Sequence, residues 1–425
     1  MASGAPAPAS VPADAPADPH PGLSFRAFVA LIASMMAINA LSIDAMLPAL
    51  PQIGEALGVQ AENDRQWIIT AYLLGFGAAQ LIYGPLADRY GRKPVLLAGL
   101  ASYVVFTAIA ALANSLETMI AARALQGVGA AATRVLAISI VRDCYSGRTM
   151  ARVMSLTFIV FLAAPIVAPT MGQVIIAVAP WPWIFAALGV FGALITALAA
   201  LRLPETLKPE DRRPISVAGV TGAFRLALTT RTAVGYMLAS TCILGALFGF
   251  INSAQQVFAD ALGAERWFAG VFALVAMFMA FSSLLNSRIV ERLGTRRVSH
   301  TALLGFIAFA GVHAAVALSG HESLWSFIVL QSGMMFCFGL VGSNFGSMAM
   351  EPLGHIAGTA SSVQGLVTTI GGALIGFAIG QQFNGTVAPL TVGFTLCGLG
   401  ALLVVLWTER GRLFRPANPP AVSKA

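Results

Sequence analysis

The sequence predicts an all-α integral membrane protein with twelve transmembrane helices in two pseudo-symmetric six-helix bundles, and three observations carry that reading. The 425-residue chain is 57% hydrophobic and only 10% charged, with a mean hydropathy of +0.81. A water-soluble domain normally carries about a quarter charged residues. Runs of about 20 residues with few or no charges recur along the chain, each long enough to cross about 30 Å of hydrocarbon as a helix, and the alternation of a membrane barrel is absent. Marks in the first half return in the second at offsets of 200 to 208 residues.

Taken in order, the spans are expected near 27–50, 67–86, 94–113, 118–141, 152–177, 181–203, 232–258, 267–287, 298–318, 323–347, 358–383 and 387–408. Residues 1–24 are rich in Ala and Pro and lack both a basic n-region and an apolar h-region, so they read as a disordered tail, not a cleaved signal. The first bundle then covers 25–203, a cytoplasmic linker with Pro204, Pro209 and Pro214 covers 204–231, the second bundle covers 232–409, and a cytoplasmic tail covers 410–425.

Orientation follows from the basic residues. Of the 25 Lys and Arg, 21 fall on one side of the spans, which should be cytoplasmic with both termini inside. The opposite loops carry Glu55, Glu62, Asp64, Glu117, Asp260, Glu265 and Glu322. The net charge of +7 is therefore a topology signal, and a nucleic-acid partner has no support. Cys144, Cys242, Cys337 and Cys397 and the five histidines show no ligand spacing, so neither disulfide, metal nor cofactor is expected. Gly127 to Ala132 fits a dinucleotide G-x-G-x-x-A pattern but lies inside an apolar helix with no preceding strand, and there is no phosphate-binding GxxxxGK[ST] stretch. Enzyme chemistry and ATP hydrolysis are not expected.

The offsets define a repeat. Glu55-Ala56-Leu57-Gly58 matches Asp260-Ala261-Leu262-Gly263, Trp67 matches Trp267, the loop at 84–94 is echoed at 291–297, and Gly172-Gln173 matches Gly380-Gln381. Both halves begin and end on the same side, so the repeat is parallel and a cavity between the halves is the expected substrate site.

The loop GPLADRYGRKP at 84–94 contains Gly84 and Gly91 for a sharp turn and close helix approach, Arg89, Arg92 and Lys93 to hold it on the cytoplasmic side, and Pro94 in the first turn of the next helix. It resembles the signature loop of the major facilitator superfamily, and the match at Gly84, Asp88, Arg89, Gly91 and Arg92 is close. SIDAMLPALPQIGEALG at 42–58, RALQGVGAAA at 123–132, IVRDCYSGRTMARVMS at 140–155 and LAAPIVAPTMGQ at 162–173 are similar to bacterial drug:proton antiporters of the bicyclomycin-resistance type. The resemblance implies a proton-coupled multidrug efflux antiporter that exports small amphipathic compounds across the bacterial inner membrane by alternating access. The partners would be a small-molecule substrate, protons and the lipid bilayer, and the expected state is a monomer. The alternative is a nutrient or metabolite symporter or facilitator on the same fold. The resemblance also implies that Asp88 meets the N-terminal end of span eleven, near Gly358, in one state and leaves it in the other. Pro165, Pro169 and Gly172 are implied to belong to an antiporter-type fifth helix.

Charges inside spans are rare and functional by default. Asp44 in span one and Arg123 in span four each lie six residues from an expected outer end, about 9 Å deep at 1.5 Å per residue. Matched in depth and opposite in sign, they are expected to pair directly or through water and to serve proton coupling. Arg134 returns to nearly the same helix face as Arg123, with Gly127 and Ala130 leaving a groove between them; snorkelling to the surface is the alternative for Arg134. Asn39, Gln126, Arg134, Asn252, Gln255, Gln331 and Gln364 complete the expected cavity set. For Gln255, Gln331 and Gln364 helix–helix hydrogen bonding is the favoured role and cargo contact the second. The C-terminal half offers no charge placed deep in a span.

Overall fold

Proline and glycine set the first boundaries. In the computed structural model, which describes residues 23–414 apart from 213 and 216, Ser24 caps the first helix by accepting from the Ala27 amide, and α1 runs Phe25–Asp44. Pro48 and Pro51 then impose a 3-10 turn at Leu47–Ala49 before α2, Leu50–Ala56. The first crossing is thus one broken path from Phe25 to Ala56. It is longer than the expected 27–50 because proline interrupts the helix without turning the chain out of the membrane. The expected tail at 1–24 lies outside the described residues except for its last two, as do residues 415–425 of the C-terminal tail.

The chain continues through α3 (Trp67–Tyr90), α4 (Arg92–Ala111), α5 (Leu116–Cys144), α6 (Gly147–Val178) and α7 (Pro182–Arg202). Within the stretch expected as linker a short helix forms, α8 (Val217–Thr229), which packs on α9 (Arg231–Gln256) and on a later helix. The second bundle adds α10 (Phe268–Leu293), α11 (Thr295–Leu318), α12 (Leu324–Met350), α13 (Ala357–Gly380) and α14 (Ala388–Thr408). Among the described residues no strand occurs, and twelve helices are long and apolar enough to cross a membrane. α6 runs unbroken through Pro165 and Pro169. Large apolar side chains such as Val174, Leu201, Val329 and Leu403 remain exposed on the bundle exterior, as a surface facing lipid tails requires.

The repeat is visible in the turns. Gly91 (φ +104°) separates α3 from α4 and Gly294 (φ +81°) separates α10 from α11, conformations that a side chain would strain. The charges follow suit. Arg92 donates from Nε to Asp143 at 3.0 Å and from its backbone amide to Glu205 at 2.8 Å. In the second half Thr295 stands at the matching position, and the next residue, Arg296, takes over the role, donating to Glu409 at 2.8 Å and lying 3.5 Å from Glu351. In each half an Arg at the start of the third span ties down acids at the ends of the fourth and sixth. Asp88, the acid three residues before Gly91, pairs with Arg92, whereas its counterpart Glu291, three residues before Gly294, enters no ion pair among the described residues.

Candidate functional site

Between the halves, on the side of the chain termini, lies a cavity of about 570 Å³, a volume suited to a drug-sized molecule. α3 and α5 supply one wall with Gln80, Gly84, Asp88, Arg134 and Arg142; the start of α13 supplies the other with Gly358, Thr359, Ser362 and Gln364. On the far side the halves are fastened together. α3 packs on α13 and α6 on α10. Gln66 donates to Gln256 Oε1 at 2.8 Å and to the Gly380 carbonyl at 3.0 Å. Asn63 donates to the carbonyls of Gln381 and Phe383, each at 3.1 Å, while Gln256 donates to Asn63 Oδ1 at 2.8 Å and Gln381 to the Asn63 carbonyl at 2.8 Å. Trp67 and Phe377 pack beside them with ring centroids 4.2 Å apart and ring planes tilted by 46°. Gly380 makes room for this amide, since a Cβ there would lie 2.3 Å from Gln66 Oε1 and push the Gln66 side chain out of its hydrogen bonds. The cavity is therefore shut at the far end by neutral amides and open toward the termini.

Asp44 ends α1 at the break and is only 4% exposed, with no hydrogen-bond partner for Oδ1. Twelve residues separate it from the end of α2, about 18 Å at helical rise, so it sits deeper than the expected 9 Å. The expected direct pair with Arg123 does not form. Arg123, fully buried, donates instead to the Ser42 carbonyl (3.0 Å), the Ile68 carbonyl (3.0 Å) and Gln126 Oε1 (2.5 Å). Its guanidinium carbon lies 4.5 Å from the Tyr72 ring centroid and 5.8 Å from that of Phe185. Two carbonyls and an amide satisfy the guanidinium in its own bundle, leaving it no need of the carboxylate. The two residues share the 42–44 segment, not a salt bridge.

Several expected cavity residues lie elsewhere in this conformation. Asn39 is buried between Thr133 Oγ1 (3.2 Å) and the Tyr72 hydroxyl (3.1 Å), and Gln126 joins Arg123 to Thr107 Oγ1 at 2.7 Å. Asn252 accepts from Thr70 Oγ1 at 3.4 Å across the halves. Gln255 and Gln331 are buried off the cavity wall, Gln331 with both amide atoms unpartnered. Arg134 and Gln364 do line the cavity. The groove expected at Gly127 and Ala130 is filled. Ala130 is fully buried, and a Cβ on Gly127 would meet the Tyr72 carbonyl at 2.1 Å. Arg123 and Arg134 share a face, but α3 covers that face at the far side and the halves part at the near side, so one is sealed and the other opens into the cavity.

Asp88 binds Arg92 at 2.6 Å, while the start of α13 stands across the cavity. The sequence reading missed the closing amides, and it missed a buried His313–Glu322 contact (3.4 Å) in the second half. The only sequence sign of the amides was that uncharged polar residues gather at span ends on the side poor in Lys and Arg.

Gly172 has a use that spacing alone did not reveal. A Cβ there would lie 1.8 Å from the Ala45 carbonyl oxygen and 3.0 Å from Pro48 Cγ, so α6 touches the backbone of the α1 break next to Asp44. Gly172→Ala is expected to cost about 1–3 kcal/mol because a backbone oxygen cannot swing aside, read as a lowered melting temperature of the purified protein. Gly270→Ala, whose added Cβ meets nothing within 4 Å, should leave it unchanged.

The fold and this inter-bundle cavity define a transporter class. The sequence profile of the Major Facilitator Superfamily matches residues 32–376, and the chain belongs to that family. A bicyclomycin resistance protein homolog of Haemophilus influenzae is 30% identical over 383 residues, covering 89% of this chain and 94% of the relative. The multidrug resistance protein MdtL of Escherichia fergusonii is 29% identical, covering 87% and 92%. A solved peptide transporter, POT in complex with sulfate, superposes with a TM-score of 0.73 at 16% identity over 93% of this chain and 96% of its own, a likeness of fold alone.

Proposed function

We propose that this protein is a proton-coupled exporter of small amphipathic compounds, working as a monomer in the bacterial inner membrane with both termini cytoplasmic. The bundles would be residues 25–203 and 232–409, rocking about their interface. The observation that carries the reading is the paired state of the two ends of one cavity, closed at the far side by the Asn63, Gln66, Gln256 and Gln381 amides and open at the other. The drug-resistance names of the relatives support the cargo class, and the Lys and Arg bias supports the orientation. Asp44 serves as the proton carrier, since it is buried with Oδ1 unpartnered and enters no ion pair among the described residues, so that protonation removes a costly charge without breaking a salt bridge.

The deciding experiment is a resistance panel in an exporter-deficient bacterium, with and without an uncoupler. Uncoupler-sensitive resistance to several unrelated compounds is expected; accumulation of a nutrient instead would establish the uptake alternative. Cysteines at Asn63 and Gln381 should crosslink readily in the present conformation and lose that crosslink when substrate and a proton gradient drive turnover. Asp88→Asn should change the ratio of crosslinked to free protein at this Asn63–Gln381 pair, without loss of folded protein. An unchanged ratio would leave the 84–94 loop as a topology anchor only.

A further inference from the structure

We propose that the cargo of this cavity is an amphipathic organic anion whose negative group docks on Arg134, an inference that rests on the transport reading above and narrows it to a substrate class. Arg134 lies on α5 ten residues before the helix ends at Cys144, about 15 Å into the bundle at helical rise. Its side chain is exposed to the cavity. Among the described residues no carboxylate lies within ion-pair distance of it and no hydrogen bond satisfies it; its one neighbour of note is the Phe76 ring, 6.0 Å from the guanidinium carbon. An unpaired guanidinium at membrane depth is costly to keep, and its planar fork suits a carboxylate, phosphonate or ionised sulfonamide.

The rest of the wall has the same sign. Asp88 is the one acid lining the cavity among the described residues, and Arg92 already neutralises it at 2.6 Å while also binding Asp143 at 3.0 Å. Arg142, nearer the mouth, has no carboxylate partner among the described residues either. Opposite stand Gly358 and Thr359, in the first turn of α13, where the helix dipole adds further positive potential. A low-dielectric cleft with one sign of charge concentrates counter-ions and repels cations. Leu81 and Val135, which line the same cavity, offer apolar contact for the body of the molecule. Exchange of such an anion for a proton carries positive charge inward on both legs, so an inside-negative potential drives export as well as the proton gradient does.

Binding of dansylglycine, a monocarboxylate, is to be compared with that of its neutral amide, dansylglycinamide, by fluorescence titration of the full-length protein in phosphatidylcholine nanodiscs, corrected for empty discs. The acid is expected to bind about ten-fold more tightly than the amide, the worth of one charge-assisted hydrogen-bonded pair. Arg134→Gln should bring the ratio to about one by weakening the acid alone, and Arg134→Lys should retain part of it. Because Arg134 makes no hydrogen bond or ion pair among the described residues, the variants should keep the wild-type melting temperature. Equal affinity for acid and amide in the wild type, a preference that survives Arg134→Gln, or no binding of either probe would each overturn the proposal. The measurement requires neither turnover nor a proton gradient. Acid-selective binding without resistance in the drug panel would remove the export reading and leave the anion site standing.

Discussion

Asp44→Asn is expected to abolish substrate-driven proton exchange in proteoliposomes, a loss of at least about ten-fold, while downhill substrate flux persists. Asp44 is the acid buried at the α1 break, with Oδ1 free of any hydrogen bond. Asn imitates its neutral form at nearly constant volume, so folding should survive. Proton coupling needs a group whose charge alternates with the transport cycle, and Asp44 stands where the α1 backbone meets Gly172 of α6. A change of charge there bears directly on the contact between two helices of the first bundle. Uphill export should fail with the coupling, whereas rocking of the halves requires no charge at this position. Substrate-driven pH change at the wild-type rate in Asp44→Asn would sink the carrier assignment and turn attention to the buried His313–Glu322 contact in the second half.

Arg123→Ala should be the most destabilising single change in the first bundle, by about 3 kcal/mol or more. It removes three hydrogen bonds from a fully buried guanidinium and leaves the Ser42 and Ile68 carbonyls and Gln126 without their donor. A buried acceptor stranded in this way costs about 1–3 kcal/mol, partly offset because the membrane-inserted unfolded chain also finds partners. It further empties the space between the Tyr72 and Phe185 rings. Arg123→Lys should recover less than half of the loss, since a single ammonium cannot reach three acceptors lying in three directions. Differential scanning fluorimetry of the purified variants is the check, and a wild-type melting temperature for Arg123→Ala would mean that the network is ornamental. Export should fall with stability, because the Ser42 carbonyl that Arg123 holds lies two residues before Asp44.

Each span of the sequence reading corresponds to a membrane-crossing helix, because hydrocarbon accepts only helices whose backbone bonds are internal, and length and apolarity then mark every crossing. The repeat was equally legible at Gly91 and Gly294, where only glycine suits the turn. The family was legible in the 84–94 loop, whose glycines and charges are dictated by a tight reversal at a membrane surface. Partners across space were not. Helical spacing placed Arg123 and Arg134 on one face, yet whether that face is covered depends on how α3 leans and where the halves part, which no local pattern encodes. The same limit applies to Gly172 and Gly380, equivalent marks of one repeat. One receives the Ala45 carbonyl at the α1 break and the other the Gln66 amide of the far-side closure. Sequence by itself determined the solvent, the crossings, the duplication and the rare charges, because each follows from the cost of placing a residue in lipid. Tertiary structure alone decided which charges are paired, which are sealed and which face the cavity, because a guanidinium or amide takes whichever acceptors the packed backbone brings within about 3 Å.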